Sequence, residues 1–248
     1  MMKAAILVKQ NEPLVMGEVE IPKLDFGQVL VKIEYTSVCG KQLDEISGKR
    51  GPDPYLPHLL GHEGAGTVVE IGLGVRKVKR EDHVVLHWMK GSGIDSATPQ
   101  FTWQGRPLNA GWVTTFSEYT IASENRLTPI PSDVKSEVAC LLGCAVTTGL
   151  GIVFNDANLK PGESIAVFGA GGVGLNVVQG AALANAYPIV AVDINEDKLQ
   201  KAREFGSTHT LHAGNGEARA LLLELSHGRG FDVTVDTSGN TQVFQLVV

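Results

Sequence analysis

A glycine-rich turn and a scattered set of cysteine and histidine residues are the parts of this 248-residue chain that could do chemistry. The turn is Gly169-Ala170-Gly171-Gly172-Val173-Gly174. An apolar run, residues 165–168, leads into it, and a small-residue helix leaves it and reaches about Ala186. After Pro188 a second apolar run, 189–192, ends in Asp193, 24 residues beyond Gly169. Strand, glycine turn, helix, strand and acid in that order form the dinucleotide-binding fingerprint. Gly169 lets the chain turn tightly, Gly171 lets the backbone approach a pyrophosphate, and Gly174 lets helix and sheet pack closely. The pyrophosphate then faces the free N–H groups at the positive end of the helix. Asp193 can accept hydrogen bonds from an adenosine ribose and would repel a 2′-phosphate, so the pattern predicts NAD rather than NADP. A glycine turn in some other α/β unit is the plainer alternative. The stretch 165–192 carries no charge, yet its glycines, Pro188, Asn176, Gln179 and Asn185 argue against a membrane span.

Cys39, His62 and Cys144 form the second set, too far apart for any spacing rule to join them. Two thiolates and an imidazole can hold zinc and leave a fourth position open. The residue types alone allow blander readings too. A buried cysteine is usually inert, and a lone histidine is usually a satisfied core residue.

The elements that must position these groups fall into two kinds. Residues 3–35 read as short strands, with Val29, Val31, Ile33 and Tyr35 alternating with Leu30, Lys32 and Glu34. Cys39-Gly40 follows, residues 41–48 suggest a short helical turn, and 49–57 a proline-rich loop. His62-Glu63 enters a strand studded with glycine, which ordinary strands avoid, so close approach of a backbone or a ligand is expected there. Residues 83–86 read as strand, 90–115 as polar, glycine-containing and loop-rich, 116–122 as strand and 129–133 as turn. Residues 137–150 read as one helix with Cys140 and Cys144 on the same face. The domain boundary is placed near Asn155, giving 1–155 and 156–248. Beyond Asp193, Asn195 caps a helix whose buried stripe is Leu199, Ala202 and Phe205, and Gly206 ends it. Residues 209–212 suggest a third strand, 217–227 an amphipathic helix and 231–236 a fourth strand. Strands alternating with helices imply a parallel, doubly wound sheet.

Composition narrows the function classes. Net charge is −6 and the pI about 5.6, with no basic stripe, so nucleic acid is an unexpected partner. The apolar stretch near the N-terminus is too short for a signal peptide. Three cysteines at uneven spacing make no disulfide framework, which fits a reducing, cytoplasmic setting without membrane attachment.

Four motifs then carry a resemblance: Cys39-Gly40, the run from Gly61 to Gly66, the run from Gly143 to Gly149, and the turn from Gly169 to Gly174. In order and separation the chain resembles the zinc-dependent medium-chain dehydrogenases, in the alcohol dehydrogenase branch, over essentially its whole length. The resemblance implies a GroES-like, β-rich catalytic domain followed by a Rossmann domain. It implies a catalytic zinc on Cys39, His62 and Cys144, with Glu63 beside it and able to enter its shell. It places Thr148 near the nicotinamide, and Gly169, Gly171, Gly172, Val173, Gly174 and Asp193 on NAD. The implied reaction is reversible oxidation of a small-molecule alcohol to an aldehyde or ketone, in a homo-oligomer when full length.

Several departures from the pattern qualify this. Residues 87–115 hold no cysteine, so the structural zinc of many relatives is not expected. Glutathione-dependent formaldehyde dehydrogenases resemble the chain around residues 101–105 and 115–120. Where they carry an arginine for an anionic substrate, this chain has Gln100, which argues against a glutathione adduct. Lys41 stands where relatives carry the serine or threonine that passes the alcohol proton outward. It is expected to take over that task as a catalytic residue, with an amine made less basic by nearby zinc; the plainer alternative is that it simply points to solvent. A full sheet of this type has six strands in the order 3-2-1-4-5-6. Four are legible, and Val247-Val248 falls in the expected helix after the fourth. The resemblance therefore implies roughly 100 further residues, an incomplete Rossmann domain with an unpaired edge at Phe231, Val233 and Val235, and weak stability and hydride transfer for the chain as given. Two other functions stay open: a zinc-free quinone or enone reductase on the same fold, and a non-catalytic dinucleotide-binding module.

Overall fold

The computed structural model describes residues 1–215, 218–240 and 243. It divides into two compact units, Met1–Cys144 and Ala145–Val248. The sequence reading placed the boundary near Asn155. The helix that opens the second unit packs on the helix after the glycine turn, where Asn176 lies 2.5 Å from the point a Cβ on Gly149 would occupy.

The first unit is built on β1 (Met2–Leu7), β2 (Val15–Glu20), β3 (Gln28–Thr36), β4 (His58–Leu59), β5 (Gly64–Ile71), β6 (His83–Leu86), β7 (Phe101–Trp103), β8 (Arg106–Leu108), β9 (Tyr119–Ser123) and β10 (Leu127–Pro129). They form two five-stranded sheets, in the orders β4-β1-β2-β7-β8 and β10-β6-β5-β3-β9. Met2, Ala4, Ile6, Phe101, Leu108 and Ile121 fill one core. Val29, Val31, Val68, Val84, Leu86 and Leu127 fill another. The alternation in β3 thus buries Val29 and Val31, while Tyr35 at its end is half exposed. The glycines of β5 do mark a close approach, and it is to backbone: a Cβ on Gly66 would lie 2.0 Å from the Lys32 carbonyl oxygen.

Residues 90–115 are loop-rich as expected, and within them β7 and β8 pair as a hairpin across Gln104-Gly105. Residues 137–150 are not one helix. A short helix α2 (Ser136–Ala139) passes into a 3₁₀ turn (Cys140–Gly143) and stops at Cys144, whose φ of −145° and ψ of −70° are not helical. One more helix belongs to this unit, α1 (Gly40–Ile46), as expected for the turn after Cys39.

The second unit begins with α3 (Ala145–Gly151), which runs on as a π-helical turn to Asp156. Then come β11 (Ile165–Phe168), α4 (Gly172–Leu183), β12 (Ile189–Asp193), α5 (Glu196–Glu204), β13 (His209–His212), α6 (Ala218–Leu225) and β14 (Val233–Asp236). The sheet order is β13-β12-β11-β14 with every pair parallel, the doubly wound arrangement the alternation implies. Asn195 caps α5 by accepting the Lys198 N–H at 3.2 Å, and Leu199 and Ala202 are buried as expected, whereas Phe205 is only half-buried. The predicted helix start at Glu217 and the chain end at Val247-Val248 lie outside the described residues. Among those described, no single helix is long and apolar enough to cross a membrane.

Candidate active site

Three separate devices in the first unit bring Cys39, His62 and Cys144 together. Cys39 follows β3 and stands at the N-cap of α1, with extended backbone. His62 sits between β4 and β5. The segment before it is pinned because the Leu60 carbonyl accepts from Thr115 N–H at 2.9 Å and Phe116 N–H at 3.0 Å. Cys144 is delivered by Gly143. A Cβ there would lie 2.2 Å from the Leu86 carbonyl oxygen and 2.7 Å from the Glu63 Cβ, so only glycine lets the chain pass this close to β6. The potential ligand atoms of Cys39, His62 and Cys144 all lie within 4.8 Å of one another. Cys144 is buried, and Cys39 and His62 are half-buried.

The electrostatics favour thiolate at Cys39. A hydrogen bond from Cys144, then one from His62, with the Lys41 backbone N–H adding to them, lower its pKa to about 4 against the opposing effect of burial. A thiolate is the form that ligates a metal.

Glu63 is buried beside this cluster at 2% exposure. Ser37 Oγ donates to its carboxylate. Its carbonyl oxygen accepts from the hydroxyls of Thr36 and Thr115, each at 2.9 Å. Lys41 lies on α1 with its amine 3.0 Å from the Glu45 carboxylate and its side chain 40% exposed.

In the second unit the glycine turn joins β11 to α4. Gly169 has φ +90°, which a tight turn requires and side-chain-bearing residues avoid. A Cβ on Gly174 would stand 1.8 Å from the Gly169 carbonyl oxygen, whereas one on Gly171 would meet nothing within 4 Å. The first is therefore a packing glycine, and the second faces open space. Gly171 provides no side-chain cap for α4, and the N–H groups of a helix's first turn, here Gly172, Val173 and Gly174, have no partner within the helix. The Asp193 carboxylate is oriented by two backbone donors, Ala170 N–H at 2.7 Å and Asn195 N–H at 2.9 Å. Thr148 is half-buried on α3.

The sequence reading missed Gln42. It is buried, accepts the Cys39 N–H through Oε1 at 3.1 Å and hydrogen-bonds His62 Nδ1 through Nε2. The available signal was its place three residues after the N-cap, where glutamine commonly reaches back to the cap N–H.

A doubly wound domain with an open glycine turn, preceded by a β-rich unit that gathers two cysteines and a histidine, defines a metal-dependent dehydrogenase class. Comparison with known proteins agrees. Residues 25–132 match the alcohol dehydrogenase GroES-like domain, and residues 172–248 match the zinc-binding dehydrogenase domain. The S-(hydroxymethyl)glutathione dehydrogenase of Escherichia coli O1:K1 / APEC is 37% identical over 99% of this chain and 73% of its own length. Among solved structures, an alcohol dehydrogenase zinc-binding domain protein from Burkholderia ambifaria superposes with a TM-score of 0.90 at 28% identity, covering 100% of this chain and 73% of that one. Benzyl alcohol dehydrogenase from Acinetobacter calcoaceticus gives 0.88 at 27% identity with the same coverage. The chain belongs to the zinc-dependent alcohol dehydrogenase family of medium-chain dehydrogenases.

Proposed function

We propose that this chain carries a zinc-dependent alcohol dehydrogenase activity that moves a hydride between an alcohol and NAD to give an aldehyde or ketone. The observation that carries the proposal is the convergence of Cys39, His62 and Cys144. Two sulfurs and one imidazole suit zinc, and three protein ligands leave a position for substrate, the arrangement of catalytic rather than structural sites. Zinc bound there supplies a Lewis acid that makes the alcohol proton easier to lose and stabilises charge on oxygen. The chain's own groups do the rest. Cys39 and Cys144 act as thiolates and His62 as a neutral imidazole. Glu63, held by Ser37, stands as an acid beside them, able to join the ligands. The N–H groups around Gly171, Gly172, Val173 and Gly174 bind pyrophosphate at the start of α4. Gly169 and Gly174 shape that turn, Thr148 packs by the nicotinamide, and Asp193 accepts from the ribose.

The substrate is proposed as a small uncharged alcohol. Gln100 is exposed and neutral where a cation for a glutathione adduct would stand. The test is a panel of alcohols and of S-(hydroxymethyl)glutathione, followed by NADH absorbance with zinc quantified on the same sample. Turnover of an alcohol that vanishes on chelation and returns with zinc is expected. Zinc-independent reduction of an enone would favour the reductase reading instead.

Two variants probe individual residues. Asp193→Gly should narrow the preference for NAD over NADP, read as the ratio of the two dissociation constants. Tighter binding of NADP than NAD by the unmodified chain would contradict the role given to Asp193. For Lys41, the contact with Glu45 supports the solvent-facing reading, because it directs the partly exposed amine along α1 to that carboxylate. Lys41→Met is then expected to leave the shape of the pH–rate profile of alcohol oxidation as it was. A lower rate with a displaced profile would return Lys41 to the proton path.

A further inference from the structure

We propose that Gln42 is a positioning residue for His62, and that its neutral amide makes the metal site bind zinc more weakly than a carboxylate at the same place would. The inference rests on the zinc reading above. Gln42 is 2% exposed and lies in the first turn of α1. Its one side chain bridges two of the three potential ligands. Oε1 accepts the Cys39 N–H at 3.1 Å, and Nε2 meets His62 Nδ1 within hydrogen-bonding distance.

The chemistry of the four groups fixes their polarity. A backbone N–H can only donate, so the atom facing Cys39 must be the amide oxygen. The NH₂ group is then left for the ring, and it too can only donate. Nδ1 must therefore accept, and a neutral His62 carries its proton on Nε2. With Nδ1 occupied by Gln42, Nε2 is the nitrogen available to a metal. Ligation through Nε2 needs the ring proton on Nδ1, donated outward. That proton would point at the NH₂ of Gln42, donor against donor. Turning the amide over satisfies the ring but sets the NH₂ against the Cys39 N–H. A neutral amide held between these two groups satisfies one of them at a time. A carboxylate of the same length would accept from both. The partner of a metal-bound histidine's outer N–H orients the ring and raises its basicity, and changing that partner typically moves metal affinity by about 10–100-fold.

The test measures zinc binding by competition with a chromogenic chelator, for the unmodified chain, Gln42→Glu and Gln42→Met. Gln42→Glu should bind zinc about 10–100-fold more tightly than the unmodified chain. Gln42→Met, which fills the same space without an acceptor, should bind no more tightly than the unmodified chain. The accompanying spectroscopic readout is the His62 tautomer, from two-bond ¹⁵N–¹H correlations on the metal-stripped chain. Its proton is expected on Nε2 in the unmodified protein and on Nδ1 in Gln42→Glu. General stabilisation of the fold would not move the proton between nitrogens, and the measurement on the unmodified chain stands even if a variant fails to fold. Equal or weaker zinc binding by folded Gln42→Glu, or a proton already on Nδ1 in the unmodified chain, would overturn the inference. An unmodified chain that takes up no zinc at all would instead remove the site reading on which it rests.

Discussion

Cys144→Ala is expected to empty the site of zinc and to lower alcohol oxidation by about 10³-fold or more relative to the unmodified chain. Two ligands, Cys39 and His62, would remain of a set of three. Lewis-acid stabilisation of charge on oxygen is worth several kcal/mol, and each 1.36 kcal/mol is about a tenfold change in rate. Gly143→Ala should act in the same direction without touching a ligand. The new methyl group would need space that the Leu86 carbonyl already fills, so residue 143 must move and Cys144 with it. Partial zinc loss with retained secondary structure is the expected signature. Elemental analysis, circular dichroism and NADH absorbance on the same preparations check both variants. Full zinc occupancy and an ordinary rate in Cys144→Ala would show that Cys144 is not a ligand.

Glu124→Ala should destabilise the first unit by about 3–6 kcal/mol, a large share of the roughly 5–15 kcal/mol that holds an ordinary domain folded. Glu124 is 3% exposed. Its carboxylate accepts three backbone N–H groups, from Arg76, from Lys77 at 2.6 Å and from Ile94 at 2.8 Å. It thereby ties the 76–77 and 94 segments together. Alanine would take the acceptor from all three part-buried donors, and a hydrogen bond to a charged group is worth roughly 1.5–3 kcal/mol. The same contacts predict a pH dependence. Burial alone would raise the Glu124 pKa, but the donations from Arg76, Ile94 and Lys77 outweigh it and hold the group below its ordinary value. A carboxyl whose folded pKa is depressed contributes stability in full above the unfolded value of about 4.3. That contribution is lost as pH falls through the lower folded pKa. Urea midpoints should therefore decline below about pH 4.3, and Glu124→Gln should flatten that decline. An unchanged midpoint in Glu124→Ala would refute the role given to this carboxylate.

The parts of the molecule ruled by local pattern were legible in the sequence. The glycine turn, its flanking strands, the Asn195 cap and the parallel alternation all follow from short-range chemistry, and the sheet order β13-β12-β11-β14 agrees with them. The hairpin of β7 and β8 was not legible, because its strands are three residues each and its turn, Gln104-Gly105, looks like more of the polar loop. The break at Cys144 was hidden for another reason. Its neighbours form an apolar run that propensity extends as helix, and what stops it is the contact of Gly143 with β6, far away in sequence. Residue chemistry made Cys39, His62 and Cys144 only a possible set; the resemblance joined them, and the fold shows how three unrelated loops bring them together. Gln42 left only the spacing of a capping box, which says nothing of its contact with His62, and Glu124 was silent because it works through backbone donors that no side-chain pattern records.

The central claim is a single catalytic zinc on Cys39, His62 and Cys144, and metal stoichiometry tests it most directly. Zinc per chain is to be measured by elemental analysis on the unmodified protein and on His62→Ala, both prepared with excess zinc and then desalted. One zinc per unmodified chain, and only a trace in His62→Ala, is the predicted result. No zinc in the unmodified chain, two zincs per chain, or equal zinc in both proteins would contradict it.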